Sequence, residues 1–151
     1  MKIVIQKVSS ADVVVDENVV GRVGKGYMCL VGICEEDTQE DADWICRKML
    51  TLRLFEDGTN PWKKSIMEVD GELLLVSQFT LHARCNKGMK PDFHRAMGSE
   101  RSKPFFEEFV EKVKSSYKPD KVQTGSFGAF MNVSLTNVGP ITIILDSKDR
   151  V

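Results

Sequence analysis

Residues 72–82, ELLLVSQFTLH, join a run of four apolar residues to a group of hydrogen-bonding ones. The apolar part, residues 73–76, is typical of a buried β-strand. Three polar side chains, Ser77, Gln78 and Thr80, follow it directly. A buried polar group without a partner costs about 1–3 kcal/mol. These side chains must therefore bond to their neighbours or face a molecule that binds to the protein.

Composition and length narrow the class of protein. The chain has 151 residues, of which 42% are hydrophobic and 28% charged, and this balance predicts one globular domain over residues 1–151. Its apolar runs are too short for a membrane helix, and its start, MKIVIQKV, lacks the features of a signal peptide. We expect a soluble cytoplasmic protein with no membrane partner. The four cysteines form no CxxC pair and are predicted to be reduced thiols.

The first third of the chain is rich in valine and isoleucine and predicts short strands. Four such segments are separated by turn signals: KIVIQKV (2–8), ADVVVD (11–16), VVGRVG (19–24) and YMCLVGI (27–33). They are expected to form a small antiparallel meander. The segment ELLLVSQFT (72–80) predicts a further strand, and residues 129–146 predict two strands joined at residues 137–140.

Two helices are predicted between these strands. The first begins at Thr38 and places apolar residues at helical spacing at positions 42, 45, 46, 49 and 50. The second begins near Ser99 or Ser102 and accepts Pro104 in its first turn. The pattern predicts a mixed α+β domain, with a sheet or partial barrel of short strands and two helices packed outside it.

Residues with obvious catalytic chemistry are scarce. The sequence contains no P-loop, GxGxxG, GxSxG or HExxH motif. His82, Cys85 and His94 match no common zinc-ligand spacing and lack a fourth ligand, so we expect no metal and no cofactor. His82 is interpreted as a surface residue at a strand end, and His94 as a loop residue.

The polar residues that remain are neutral. Ser77, Gln78, Thr80 and Asn137 can orient a substrate and stabilise an oxyanion, but they are poor general bases near pH 7. A hydrolase built on them would take its base from the substrate. The alternative is structural, with the hydroxyls of Ser77 and Thr80 satisfied within the sheet.

A basic segment, RCNKGMKPDFHR (84–95), follows this stretch. It contains five basic or histidine residues against one acid, Asp92, although the formal charge of the whole chain is −1. That overall charge argues against a protein wrapped in nucleic acid. The segment is either a solvated loop or a loop that contacts phosphates, and in the second case Lys87, Lys90 and Arg95 would contact them.

Four segments, in this order and spacing, carry a resemblance to a known family. They are VSQFTL (76–81), KGMKPDFH (87–94), GSFGAFM (125–131) and NVGPIT (137–142), and the opening KIVIQKVSSADVVVD agrees with them. The chain strongly resembles the D-aminoacyl-tRNA deacylases. The resemblance implies their fold and a homodimeric enzyme, without cofactor, that hydrolyses the ester between a D-amino acid and tRNA. It also implies activity on mischarged glycyl-tRNA.

The resemblance implies roles for residues at the matching positions. Ser77, Gln78 and Thr80 are the candidate catalytic residues, and Phe79 lines the pocket beside them. Thr80 has been considered a nucleophile in such proteins. Because no base stands beside it in the motif, we prefer the 2′-hydroxyl of the substrate ribose as the activating group.

Further pocket residues follow from the same resemblance. Phe127 and Met131 would lie near the adenosine of the tRNA end, and their alternative role is core packing. Ala96 would be a small pocket residue, and its alternative is an ordinary residue at a helix entry. Gly139 and Pro140 would be joined by a cis peptide bond and reach across the dimer interface to the partner's residues 77–80. Their carbonyls would exclude an L side chain sterically.

Two positions depart from the usual family pattern. Val138 stands where an acid is common, and Lys7 where arginine is frequent; lysine keeps the charge but loses the planar fork. Two other functions stay open: a related branch that edits L-aminoacyl-tRNA, and a non-catalytic module that binds RNA or a partner. The presence of Ser77 and Gln78 favours the branch of the family that acts on D-aminoacyl-tRNA.

Overall fold

The computed structural model describes residues 1–150. The first strand of the chain is long and lies between the next two strands in the sheet. β1 (Lys2–Val15) pairs antiparallel with both β2 (Asn18–Val23) and β3 (Gly26–Gly32). The predicted meander is therefore wrong in its order, because β1 lies between the other two. The predicted turn after residue 8 is also wrong. Ser9 and Ser10 are exposed within a continuous strand, and the pairing with β8 shifts register beside them instead of ending.

The rest of the sheet is built on β3 and β1. A separate hairpin of β4 (Phe55–Asp57) and β5 (Asn60–Lys64) precedes β6 (Glu72–Ser77), which runs parallel to β3. β7 (Val122–Thr124) runs parallel to β6, and β8 (Asn132–Asp146) pairs with the far side of β1.

The sheet curls on itself. A Cβ built at Gly21 in β2 would come within 2.3 Å of the Thr124 carbonyl oxygen in β7, so these two strands lie against each other. The strand order β2-β1-β3-β6-β7 therefore bends into a partial barrel. With the two helices outside, this architecture confirms the predicted mixed α+β fold.

β8 is one strand, whereas two were predicted. It stays paired with β1 on both sides of Gly139 and Pro140, through Asn137 opposite Val8 and Thr142 opposite Gln6. The ladder shifts register there, and this irregularity accommodates a proline that has no N–H to donate.

Two helices pack against the sheet. α1 (Gln39–Thr51) begins after Thr38, as predicted, and a capping box with Asp41 closes its first turn. α2 (Ser99–Ser116) begins at Ser99, which places Pro104 in the second turn and not the first. Both helices bury an apolar face against the main core, whose largest side chains include Tyr27, Phe55 and Phe109. Within residues 1–150, neither helix combines the length and apolar character needed to cross a bilayer.

Candidate functional site

The polar residues that follow β6 leave the strand and enter a short 3-10 turn. β6 ends at Ser77, so the strand predicted through residue 80 is too long. The Gln78 N–H still donates to the Val31 carbonyl at 2.8 Å, and the Leu81 N–H then donates to the Gln78 carbonyl at 3.3 Å. This second bond starts the 3-10 turn, Phe79–His82. The chain therefore bends away from the sheet directly after Gln78.

A cavity of about 530 Å³ opens where the chain bends. Its size suits a small ligand or the end of a larger one. Val31 and Val76 of the parallel strands line it, together with segments on either side of α2. Among the lining residues are six of those predicted for the site: Ser77, Gln78, Phe79, Ala96, Phe127 and Met131.

The cavity is electrically neutral. Of the residues that the structure describes, none of those lining it is an acid, a lysine, an arginine or a histidine. Its polar side chains are hydroxyls and one amide, which bind a polar group but do not accept a proton from water at neutral pH. No side chain of this lining can therefore act as a general base near pH 7.

Thr80 lies beside the cavity and is not part of its lining. Its side chain is exposed, and its Oγ1 accepts a hydrogen bond from the Gln78 Nε2 at 2.5 Å. An amide N–H cannot take the hydroxyl proton, so this contact orients Thr80 and Gln78 but does not activate a nucleophile.

Gly139 and Pro140 are exposed and lie outside the lining of their own chain's cavity. The peptide bond between them is cis, and Gly139 has φ +113°, a conformation that favours glycine. Asn137 holds this segment, since its Nδ2 donates to the Lys7 carbonyl at 2.9 Å and to the Ile141 carbonyl at 3.0 Å. Asn137 therefore has a structural role here.

Lys7 contributes its backbone to this brace and uses its side chain elsewhere. The Lys7 Nζ pairs with the Glu56 Oε2 at 2.7 Å and lies 4.8 Å from the centre of the Phe55 ring. The Lys7 hydrogen bond lowers the pKa of Glu56. Because the Asn137 side chain bonds to the backbone carbonyl of residue 7 and not to its side chain, arginine at this position would hold the segment of Gly139 and Pro140 equally well. Val138 is 37% exposed beside it.

Two aromatic residues that the sequence pattern did not predict, Phe93 and Phe130, complete the cavity. Phe93 packs edge-on against Phe79, with ring centres 5.1 Å apart, and Phe130 is 90% exposed at the rim. Phe93 stands in the polar segment KGMKPDFH, where an apolar side chain was the available signal, whereas Phe130 stands among other apolar residues in GSFGAFM and had no such signal.

The basic segment folds into a small loop on the other side of the 3-10 turn. Arg84 and Asp92 exchange two backbone hydrogen bonds of 2.8 Å, which places Lys87 and Lys90 in an exposed tip. Arg95 instead lines a second cavity, of about 580 Å³, with Arg84 and several charged residues.

The two histidines have different environments. His94 is exposed and bonds to the Asp92 carboxylate, as expected for a loop residue. His82 is buried, so its interpretation as a surface residue is wrong. The 3-10 turn folds it back onto Gly32 of β3, where a Cβ would lie 3.3 Å from the His82 ring.

Fold and cavity together define a class: small α+β proteins with a pocket whose lining, among the residues that the structure describes, has no ionisable side chain. The comparisons with known proteins name the family. The family model described as D-Tyr-tRNA(Tyr) deacylase matches residues 4–146, and the chain belongs to that family. This confirms the resemblance seen in the sequence.

Similar proteins match over nearly their whole length. A D-aminoacyl-tRNA deacylase of Candida glabrata is 54% identical over 99% of this chain and 100% of its own. One of Dictyostelium discoideum is 51% identical over the same shares. A solved structure titled c-Myc DNA Unwinding Element Binding Protein has a TM-score of 0.91 and 44% identity, over 97% of this chain and 98% of its own.

Proposed function

We propose that this protein hydrolyses the ester bond of D-aminoacyl-tRNA and releases free tRNA and a D-amino acid. Family membership supports this reaction, as do the full-length relatives named for it. The observation that carries the mechanism is the neutral cavity. Ester hydrolysis needs an activated water or hydroxyl and a stabilised oxyanion, and this cavity supplies groups for the second requirement alone.

The base in our proposal comes from the substrate. The ribose 2′-hydroxyl lies next to the ester that is broken, so it can position or activate the attacking water. Gln78 and Thr80, which are bonded to each other, then bind and orient the substrate. Ser77 lines the cavity at the end of β6 and offers a further hydrogen bond.

Backbone groups at the start of the 3-10 turn stabilise the oxyanion. Hydrogen bonding inside the turn begins with the Leu81 N–H. The N–H groups of Phe79 and Thr80 therefore precede the first internal bond and remain available as donors. Such preorganised donors typically lower the barrier by about 2.7–4 kcal/mol each.

A second copy of the chain closes the cavity in our proposal. Gly139 and Pro140 are exposed and lie away from their own chain's cavity, on an outer strand whose pairing in residues 1–150 is with β1. Ile144 on the same strand is 70% exposed, and a long outer strand with apolar side chains favours association. The partner's Gly139 and Pro140 carbonyls would then exclude an L side chain. Glycine, which has no side chain, would pass.

The tRNA body extends over the basic loop. Lys87 and Lys90 at its tip and Arg95 at its base are the proposed phosphate contacts, which suits a cytoplasmic protein that meets aminoacylated tRNA. Phe127 and Met131 would contact the terminal adenosine, and Ala96 would leave room for it.

The test compares one tRNA charged with a D-amino acid, its L enantiomer or glycine, with free tRNA measured over time. We expect cleavage of the D-aminoacyl and glycyl forms and retention of the L form. Cleavage of the L form would indicate the L-editing branch. No cleavage, together with tight binding of tRNA or duplex DNA, would indicate a non-catalytic nucleic-acid module. Sedimentation of the same sample, in which we expect a dimer, tests the proposed partner contact.

A further inference from the structure

A cluster of potential metal ligands lies on the far side of the 3-10 turn from the neutral cavity. The Cys34 Sγ, an Asp37 carboxylate oxygen and a His82 ring nitrogen all lie within 4.8 Å of one another. Cys34 and Asp37 belong to the loop between β3 and α1, and His82 ends the turn. None of the three has a part in the proposed hydrolysis.

His82 supplies a second and independent observation. Its side chain is buried, with 9% relative exposure, and its Nε2 has no hydrogen-bond partner within residues 1–150. A buried polar atom without a partner is costly, so it needs an explanation.

The distances within the cluster approach those of a metal site. Around tetrahedral zinc, neighbouring sulfur, nitrogen and oxygen ligands lie about 3.4–3.6 Å apart, as follows from the usual metal–ligand bond lengths. The Cys34 Sγ is already 3.3 Å from the Asp37 Oδ1. A movement of the His82 ring by about 1 Å would bring the third ligand into range.

Asp37 is held in place for such a role. Its Oδ2 accepts the Cys34 backbone N–H at 2.7 Å, a contact of the kind that orients metal-binding carboxylates. Its Oδ1 also accepts from the Met1 ammonium and lies 3.7 Å from the Lys148 Nζ. The ammonium donates to the Ser147 Oγ as well, at 2.7 Å, so it keeps a partner when a metal shares Asp37.

We propose that Cys34, Asp37 and His82 form a zinc site. One sulfur, one nitrogen and one oxygen ligand suit Zn²⁺, and the adjoining cavity of about 580 Å³, which Cys34 and His82 line, admits the ion and a water as fourth ligand. On binding, the Cys34 thiol gives its proton to solvent and the thiolate bonds to the metal. The ion would tie the 3-10 turn to the loop after β3.

Cobalt(II) is the probe for this site, because thiolate-bound cobalt absorbs in the near ultraviolet. The full-length protein, freed of metal with a chelator, is titrated with Co²⁺ and then with Zn²⁺. We expect one Co²⁺ per chain with a thiolate absorption band, displacement by Zn²⁺, and a higher Tm with either metal.

Variants assign the ligands. Cys34→Ser should abolish the band, and His82→Gln should weaken Co²⁺ binding at least about tenfold. Cys85→Ser and His94→Gln change the exposed residues of the same types and should bind Co²⁺ like the parent protein. Circular dichroism of each metal-free variant shows whether it is folded. Absence of the band in the parent, or a band that survives Cys34→Ser or disappears with Cys85→Ser, would overturn the proposal.

Discussion

The two cavities on either side of the 3-10 turn differ in almost every chemical respect. Among the residues that the structure describes, the lining of the cavity beside Ser77 and Gln78 has no acid, lysine, arginine or histidine, whereas glutamates, arginines and Lys148 line the cavity beside His82. Four residues, Phe79–His82, separate them. Phe79 lines the first cavity and His82 the second.

This difference shows why charge alone is a poor guide to the site. Clusters of ionisable groups are the usual sign of catalysis, and that sign points to the second cavity. The shape, the apolar lining and the few polar groups of the first cavity fit substrate binding better. In our proposal the reactive pocket is the one without charge, and its base arrives with the substrate.

The largest expected effect comes from changing the substrate. A D-aminoacyl-tRNA whose terminal ribose lacks the 2′-hydroxyl should be hydrolysed about 10²–10⁴-fold more slowly, since general acid–base assistance contributes about that much. Single-turnover rates with saturating protein measure it. Each rate is divided by the spontaneous hydrolysis rate of the same ester, which corrects for its intrinsic reactivity. Equal corrected rates would show that the protein supplies the base.

A charge placed inside the neutral cavity should have the next largest effect. Ala96→Asp should lower kcat about 10²-fold or more, because a carboxylate in the same cavity repels the negative charge that develops in the transition state. Ala96→Asn has nearly the same size without the charge and is the matched control. If the two variants are equally slow, steric exclusion and not charge explains the loss.

The contribution of the Asp41 carboxylate to the stability of the folded state should be lost in acid. Asp41 is buried; burial opposes its ionisation, but hydrogen bonds, including one from Lys148, lower the pKa of its carboxyl below the ordinary value of 3.8. A lowered pKa stabilises the folded state above pH 3.8, and this contribution is lost as the pH falls below that value. Asp41→Asn should therefore cost about 1–3 kcal/mol at pH 7, and the difference from the parent protein should shrink below pH 4.

Urea unfolding at several pH values measures this difference. The asparagine side chain would keep an oxygen for the Thr38 N–H, now 2.9 Å from the Asp41 Oδ2, so the capping bond can survive the substitution. Glu107→Gln, at an exposed position on α2, should change stability little. A difference that stays constant from pH 7 to pH 3 would contradict the role of the Asp41 charge.

Local patterns in the sequence predicted the helices and the general fold well. The start of α1 follows from Thr38 and its helical spacing. Local patterns did not predict that β1 is one long strand or that β8 is continuous. Both features depend on pairing between distant strands, and this pairing tolerates Ser9, Ser10 and Pro140. Turn residues at these positions predict breaks, but the sheet accommodates them within continuous strands.

The site was predictable in part. The resemblance named six of the residues that line the neutral cavity, including Ala96 and Phe127, and left the others unnamed. The burial of His82 was missed because a histidine after a strand carries no signal of the turn that folds it back. Phe93 was missed because its contact with Phe79 exists in the folded loop alone.

Removal of the Thr80 hydroxyl should have a modest effect. Thr80→Ala loses one hydrogen bond to Gln78, so kcat should fall less than about tenfold. Thr80→Ser keeps a hydroxyl and should retain nearly all activity. A fall of Thr80→Ala to the uncatalysed rate, with tRNA binding and fold intact, would identify Thr80 as a nucleophile and refute the substrate-assisted mechanism.

The smallest effect is expected at the tip of the basic loop. Lys87→Gln and Lys90→Gln together should weaken tRNA binding and reduce the slope of log K against log salt by about 1 for each lysine that binds a phosphate. Arg95→Gln, changed separately, tests the base of the loop. Lys63→Gln with Lys64→Gln on β5 removes the same charge elsewhere and should leave the slope nearly unchanged. Both double variants lower the net charge equally. A slope that falls in the loop variant but not in the β5 variant therefore indicates direct phosphate binding and not general attraction. Equal slopes in the two double variants would show that the loop is solvated and would assign the binding to the cavity alone.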